Sequence, residues 1–96
     1  MSTILLKTFG SVISDKSIGN SILEKVQNSL KTDGSVTVDF TDVVTMATFC
    51  ARQIFGDLYV ELGRETFIKK VNLLNANDTV KAIISDAILY SVKNAK

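Results

Sequence analysis

The spacing of apolar positions along the chain changes several times, and each change marks an element. Ile4-Leu5-Leu6-Lys7-Thr8-Phe9 is a short apolar run of strand type, Gly10 marks a bulge or turn, and Ser11-Val12-Ile13 continues extended. Ser14 and Ser17 are both N-cap residue types, which places a helix start in that window. From Ile18 onward Ile22, Leu23, Val26 and Leu30 recur at three- and four-residue spacing, with Asn20, Glu24, Gln27, Asn28 and Lys31 on the other side. This is the pattern of an amphipathic helix, and it ends near Thr32-Asp33-Gly34. The stretch Ser35-Val36-Thr37-Val38-Asp39-Phe40-Thr41 alternates apolar and polar residues and predicts a strand. Its Val36, Val38 and Phe40 face needs a helix layer to cover it.

A second helix is predicted to begin between Met46 and Phe49 and to run to Gly63, a natural left-handed C′ residue. Cys50, Ile54, Leu58 and Leu62 fall four apart on its inner side, and Ala47, Ala51 and Phe55 widen the stripe. Phe67-Ile68-Lys69-Lys70-Val71-Asn72-Leu73-Leu74 reads as a third extended segment. Asn75-Ala76-Asn77-Asp78 then supplies turn chemistry and a helix N-cap, and the last helix carries Val80, Ile83, Ile84, Ala87, Ile88 and Ser91 on one face. The order β-α-β-α-β-α predicts an α/β fold with a mostly parallel sheet covered by helices and right-handed crossovers. Residues 1–96 are expected to form one domain, and the sequence shows no internal repeat.

Composition sharpens this picture by exclusion. Hydrophobic residues make up 46% of the chain and charged ones 22%, with no proline, which is the profile of a packed domain and not of a disordered tail. A formal charge of +1 leaves no electrostatic footprint for phosphate backbones, so nucleic acid is not an expected partner. Lys69, Lys70, Lys81, Lys93 and Lys96 outnumber Asp78 and Asp86 toward the C-terminus, matching cations near the negative end of a final helix. No apolar run approaches the roughly 20 residues of a membrane-spanning helix. A lone cysteine and a start without signal-peptide character point to a cytoplasmic protein.

The run from Val38 to Gly56, Val38-Asp39-Phe40-Thr41-Asp42-Val43-Val44-Thr45-Met46-Ala47-Thr48-Phe49-Cys50-Ala51-Arg52-Gln53-Ile54-Phe55-Gly56, resembles the signature stretch of the STAS-like family. These are small relatives of the sulphate-transporter and anti-sigma-factor-antagonist domains. Asn75-Ala76-Asn77 followed by Val80 and Ile84 is similar to the family's last strand-to-helix turn, and Gly10-Ser11-Val12-Ile13-Ser14 extends the likeness to nearly the whole chain. The resemblance implies a regulatory or adaptor domain of a bacterial or phage partner-switching pathway. Its partner would be a histidine-kinase-type ATPase or an anti-sigma-like regulator. Two departures stand out: the family's acidic pair after Phe-Ala is here Arg52 and Gln53, and Phe49 aligns with the serine that anti-sigma antagonists have phosphorylated.

Thr48 is the nearest remaining hydroxyl and is the candidate phosphoacceptor, with helix capping as its alternative role and Thr45 as a weaker candidate for either. Cys50 sits where a helix N-terminus can lower a thiol's pKa, yet the chain has no His to serve as base and no second Cys, so core packing is the expected role. Asp39, Asp42 and Asp57 lack calcium-loop spacing, and Asp39 reads as a turn or cap residue; neither a metal nor another cofactor is expected. No phosphate-binding glycine loop is present. If Cys50, Ile54, Leu58 and Leu62 face inward, then Phe49, Arg52, Gln53, Gly56 and Val60 point the other way. Together with Thr48 they form the expected partner interface, with Gly56 leaving room for another backbone. The alternative is a self-assembling structural subunit, a homodimer or larger homo-oligomer, that pairs through the same face; a small enzyme using Cys50 or the Asp39 and Asp42 carboxylates comes third.

Overall fold

The computed structural model describes residues 2–94; Lys96, one of the cations counted above, lies outside them. The elements in order are β1 (Ser2–Leu5), a 3-10 turn (Leu6–Phe9), β2 (Val12–Ile13), α1 (Lys16–Asp33), β3 (Val36–Asp39), β4 (Thr45–Met46) and α2 (Thr48–Ala51). A π-helical turn (Arg52–Gly56), α3 (Asp57–Leu62), α4 (Arg64–Lys70), β5 (Val71–Leu74) and α5 (Asp78–Asn94) complete the chain. The three longer strands form one parallel sheet in the order β1-β3-β5, in register at Ile4, Val38 and Leu73. β2 and β4 pair separately, also parallel, through Val12↔Thr45 and Ile13↔Met46. The mixed α/β class with a parallel, helix-covered sheet is therefore the one the residue pattern predicts.

The register sorts the strand side chains onto two faces. Ile4, Val36, Val38 and Val71 are buried under the helices, whereas Thr3, Leu5, Asn72 and Leu74 on the reverse face are exposed. Beneath the helices the core continues through Ile22 and Val26 of α1, the Phe40 and Phe55 rings with centroids 6.1 Å apart, and Val80, Ile84 and Ala87 of α5.

Three boundaries differ from the sequence reading. Neither Ser14 nor Ser17 caps α1: Asp15 does, its carboxylate accepting from the N–H groups of Ser17 (2.7 Å) and Ile18 (3.4 Å). The first strand stops at Leu5 because the chain tightens into a 3-10 turn and passes through Gly10 at φ 120°, a value an L-residue rarely adopts. Phe67 to Lys70, expected to be extended, belongs to helix α4. Glu65 in its first turn and Lys69 and Lys70 in its last match the helix dipole, and Phe67 is buried against Tyr59 with ring centroids 5.1 Å apart.

The predicted second helix is continuous from residue 48 to 62, but its middle turn is wider than an α-turn, the Asp57 N–H donating to the Arg52 carbonyl five residues back. A repeat of four residues slips about 40° per step on a regular α-helix. The wide turn absorbs that slip, so Cys50, Ile54 and Leu58 all stay buried and Phe55 and Gly56 join them.

Two glycines let neighbouring helices close on this run. Gly19 of α1 faces the Gln53 amide, with Cδ 3.1 Å and the Cys50 sulfur 3.5 Å from where a β-carbon would stand. Gly56 meets α5, with the Ser91 β-carbon at 3.1 Å and the Ala87 carbonyl oxygen at 3.3 Å from the equivalent point. Gly56→Val is accordingly expected to lower unfolding stability by about 1–3 kcal/mol through overpacking, although valine is the better helix former. A urea midpoint unchanged by the substitution would contradict this packing.

Candidate functional site at the start of the second helix

The helix start is set by the small β2–β4 ribbon. The Ala47 N–H donates to the Ile13 carbonyl at 2.7 Å, which fixes Ala47 in an extended conformation (φ −67°, ψ 143°) as the N-cap of α2. Alanine has no side-chain acceptor, so the first turn carries no side-chain cap. Thr48 lies one residue inside the helix and is exposed; the capping role expected for it is not realised.

The preceding loop is held just as firmly. Asp39 accepts from the Thr41 N–H (2.9 Å), the Thr41 hydroxyl (2.7 Å) and the Asn75 amide (3.2 Å), and the Asn75 amide also donates to the Thr41 hydroxyl at 3.0 Å. Asp42 and Asn75 adopt positive φ (65° and 60°), which these short polar residues tolerate better than most. Asn77 works in both directions: its amide donates to the carbonyls of Val43 (3.2 Å) and Val44 (3.0 Å), and its oxygen accepts from the Val80 N–H (2.8 Å) at the start of α5. The Val44 N–H in turn donates to the Ser11 carbonyl (2.8 Å).

Of the residues expected on the outer face, the structure leaves some exposed and engages the rest internally. Phe49 is 50% exposed and Val60 41%. Gly56 is instead buried, because the approach its missing side chain permits is made by α5 of the same chain. Arg52 is half-buried, its guanidinium 3.7 Å from the centroid of the Tyr90 ring on α5. Gln53 is half-buried as well and donates from its amide to the Lys16 carbonyl at 3.2 Å. Arg52 and Gln53 thus hold neighbouring helices. Pattern reading missed Val12 (48% exposed) and Val44 (61%), which the ribbon ties to the same end of the helix as Phe49. Val44 leaves a partial trace in the apolar pair Val43-Val44, of which one residue is buried and the other is not; Val12 leaves none.

Cys50 is fully buried, its sulfur 3.6 Å from the Asp15 carbonyl. Burial pushes its thiol above the ordinary value, and the Asp15 carboxylate pushes the same way, the reverse of what an activated nucleophile needs. A thiol reagent should therefore label Cys50 far more slowly in the native protein than in urea; labelling at equal rates would show that the sulfur is open.

The hydroxyl and backbone N–H of Thr41, then the Asn75 amide and the Lys7 charge, hold the Asp39 carboxyl below its ordinary value. A depressed carboxyl contributes stability that is present above the ordinary aspartate range and is lost as pH falls through the lowered value. Asp39→Asn should consequently have a lower urea midpoint than the wild type near neutral pH, with the gap narrowing on acidification. A gap independent of pH would contradict the assignment.

Among the described residues no helix is long and apolar enough to cross a membrane, and no group of His, Cys, Asp and Glu side chains is arranged to hold a metal ion. Comparison with protein families gives a match to the STAS-like domain of unknown function (DUF4325), over residues 19–81. No curated protein and no solved structure matches the chain. The matched stretch is well over half of the 96 residues and takes in most of α1, the sheet strands β3 and β5 and the second helix: the chain belongs to the STAS-like domain family.

Proposed function

We propose that the protein is a non-catalytic regulatory or adaptor module of the cytoplasm that acts by protein–protein contact through the start of its second helix. Thr48 and Phe49 are the centre of the contact, Val60 extends it along the outer face, and the half-exposed sides of Arg52 and Gln53 flank it. The carrying observation is the exposure of Phe49, Val12 and Val44 on segments that backbone hydrogen bonds tie together. Large apolar side chains held rigid at one place cost little ordering entropy on binding, and an aromatic among them is a common anchor. The partner class implied by the family resemblance is a histidine-kinase-type ATPase or an anti-sigma-like regulator in a partner-switching pathway.

Regulation follows from the uncapped helix start. A phosphate on Thr48 would sit at a first turn that no side chain caps and at the positive end of the helix dipole, and it would place negative charge next in sequence to the apolar anchor. Phosphorylation then releases the partner.

Three measurements test this reading. With the partner recovered from the native host and purified, Phe49→Asp combined with Val60→Lys is expected to weaken the complex about 30-fold or more, the effect of losing an anchor of about 2 kcal/mol. Full affinity in that variant overturns the surface. Thr48→Glu should weaken the same complex and Thr48→Ala should not; equal affinity in both removes the phosphorylation switch. Light scattering of the protein alone should give a monomer, and a stable oligomer that Phe49→Asp dissociates would replace the adaptor with a self-assembling subunit.

A further inference from the structure

A second surface, independent of the helix start, lies along the outer edge of the sheet. The order β1-β3-β5 leaves β5 paired on one side only. The carbonyl of Leu74 accepts from the Phe40 N–H at 2.8 Å, so Leu74 turns its backbone groups toward β3. Because backbone direction alternates along a strand, Leu73 turns its N–H and C=O the other way, as does the C=O of Val71. The Val71 N–H is already taken by the Phe67 carbonyl in the last turn of α4. Natural edge strands are often blunted by a charge, a proline or a bulge; Val71-Asn72-Leu73-Leu74 contains none of these, and its four residues leave a short open edge.

Beside this edge runs a groove of about 330 Å³ between β5 and α5, lined by Leu73, Ala76, Lys81, Ile84, Ser85 and Ile88. Its walls are mainly aliphatic, and Lys81 is the one ionisable residue among them. Lys81 has no ion-pair partner among the described residues. From Lys81 to Ile88 the helix rises about 10 Å, the length of three strand steps. An added strand would therefore send two or three alternate side chains into the groove.

We propose that the β5 edge and this groove bind an extended peptide segment of a partner protein by strand addition. The peptide pairs with the free backbone groups of Leu73 and Val71, places alternate apolar side chains against Ile84 and Ile88, and sets an acidic side chain opposite Lys81. The unpaired backbone demands an extended occupant, the aliphatic walls demand the alternation, and the unpaired ammonium selects the charge. The surface does not depend on the contact proposed for Phe49.

The test uses the full chain, isotope-labelled, and two acetylated and amidated hexapeptides, Thr-Val-Thr-Val-Thr-Glu and its reverse, which cover both strand directions. One of them should shift the amide resonances of Val71, Leu73, Ile84 and Ile88 saturably. Lys81→Glu should weaken that binding about fivefold or more, and a peptide with Lys in place of Glu should recover it. Phe49→Asp should leave it unchanged, which separates this surface from the helix start. The proposal is overturned if neither peptide shifts β5 at millimolar concentration, if the shifts map elsewhere, or if Lys81→Glu has no effect. It is equally overturned if the β5 resonances of the free protein move on dilution, since a second copy of the chain would then fill the edge.

Discussion

The close approach of α1 and α5 to the two sides of the second helix is the constraint from which the remaining architecture follows. At Gly19 the Gln53 amide and the Cys50 sulfur stand where a side chain would be, and at Gly56 the Ser91 side chain and the Ala87 carbonyl do. With both flanks covered, the inner stripe must stay in line along the whole run, and the wide turn from Arg52 to Gly56 takes up the excess rotation. A regular α-helix would carry Leu58 away from the core into which Cys50 and Ile54 point. The consequence for function is geometric: once the flanks are taken by the protein itself, the large apolar side chains left exposed on the helix are Phe49 near its start and Val60 near its end.

The same packing accounts for the roles of Arg52 and Gln53. An acidic pair at the positions of Arg52 and Gln53 would find no match in the contacts seen here. Arg52 lies on the Tyr90 ring as a cation, and the Gln53 amide donates to a carbonyl. These contacts draw both side chains inward and shift the weight of any partner contact toward the helix start. There the β2–β4 ribbon and the Asn77 side chain hold the approach loop in place, so a partner would meet a preformed surface.

Much of this was legible in the residues. The spacing of Ile22 and Val26, the alternation of Val36 and Val38 and the Asn77 cap all reported local structure, because a single period or cap governs each. The buried position of Cys50 followed from its place in the inner stripe. What stayed hidden depended on partners distant in sequence. The outward reading of Gly56 assumed a regular helix with one covered side, whereas α5 covers a second. Phe67-Ile68-Lys69-Lys70 carries β-type residues, yet one contact from Tyr59 and a favourable charge order make it helical. Which of Val43 and Val44 is exposed, and that Val12 is, depends on two short strands that pair across the intervening α1 and β3.

Hydrogen exchange of the native protein tests the central claim most directly. If the second helix is clamped on both flanks, the amides from Ile54 to Leu58 open only with global unfolding, and their exchange free energies should equal the stability from urea denaturation and fall together when denaturant is added. Exchange of these amides by a separate, lower-energy opening, insensitive to denaturant while β3 remains protected, would show that the helix moves independently of the core and would contradict the account.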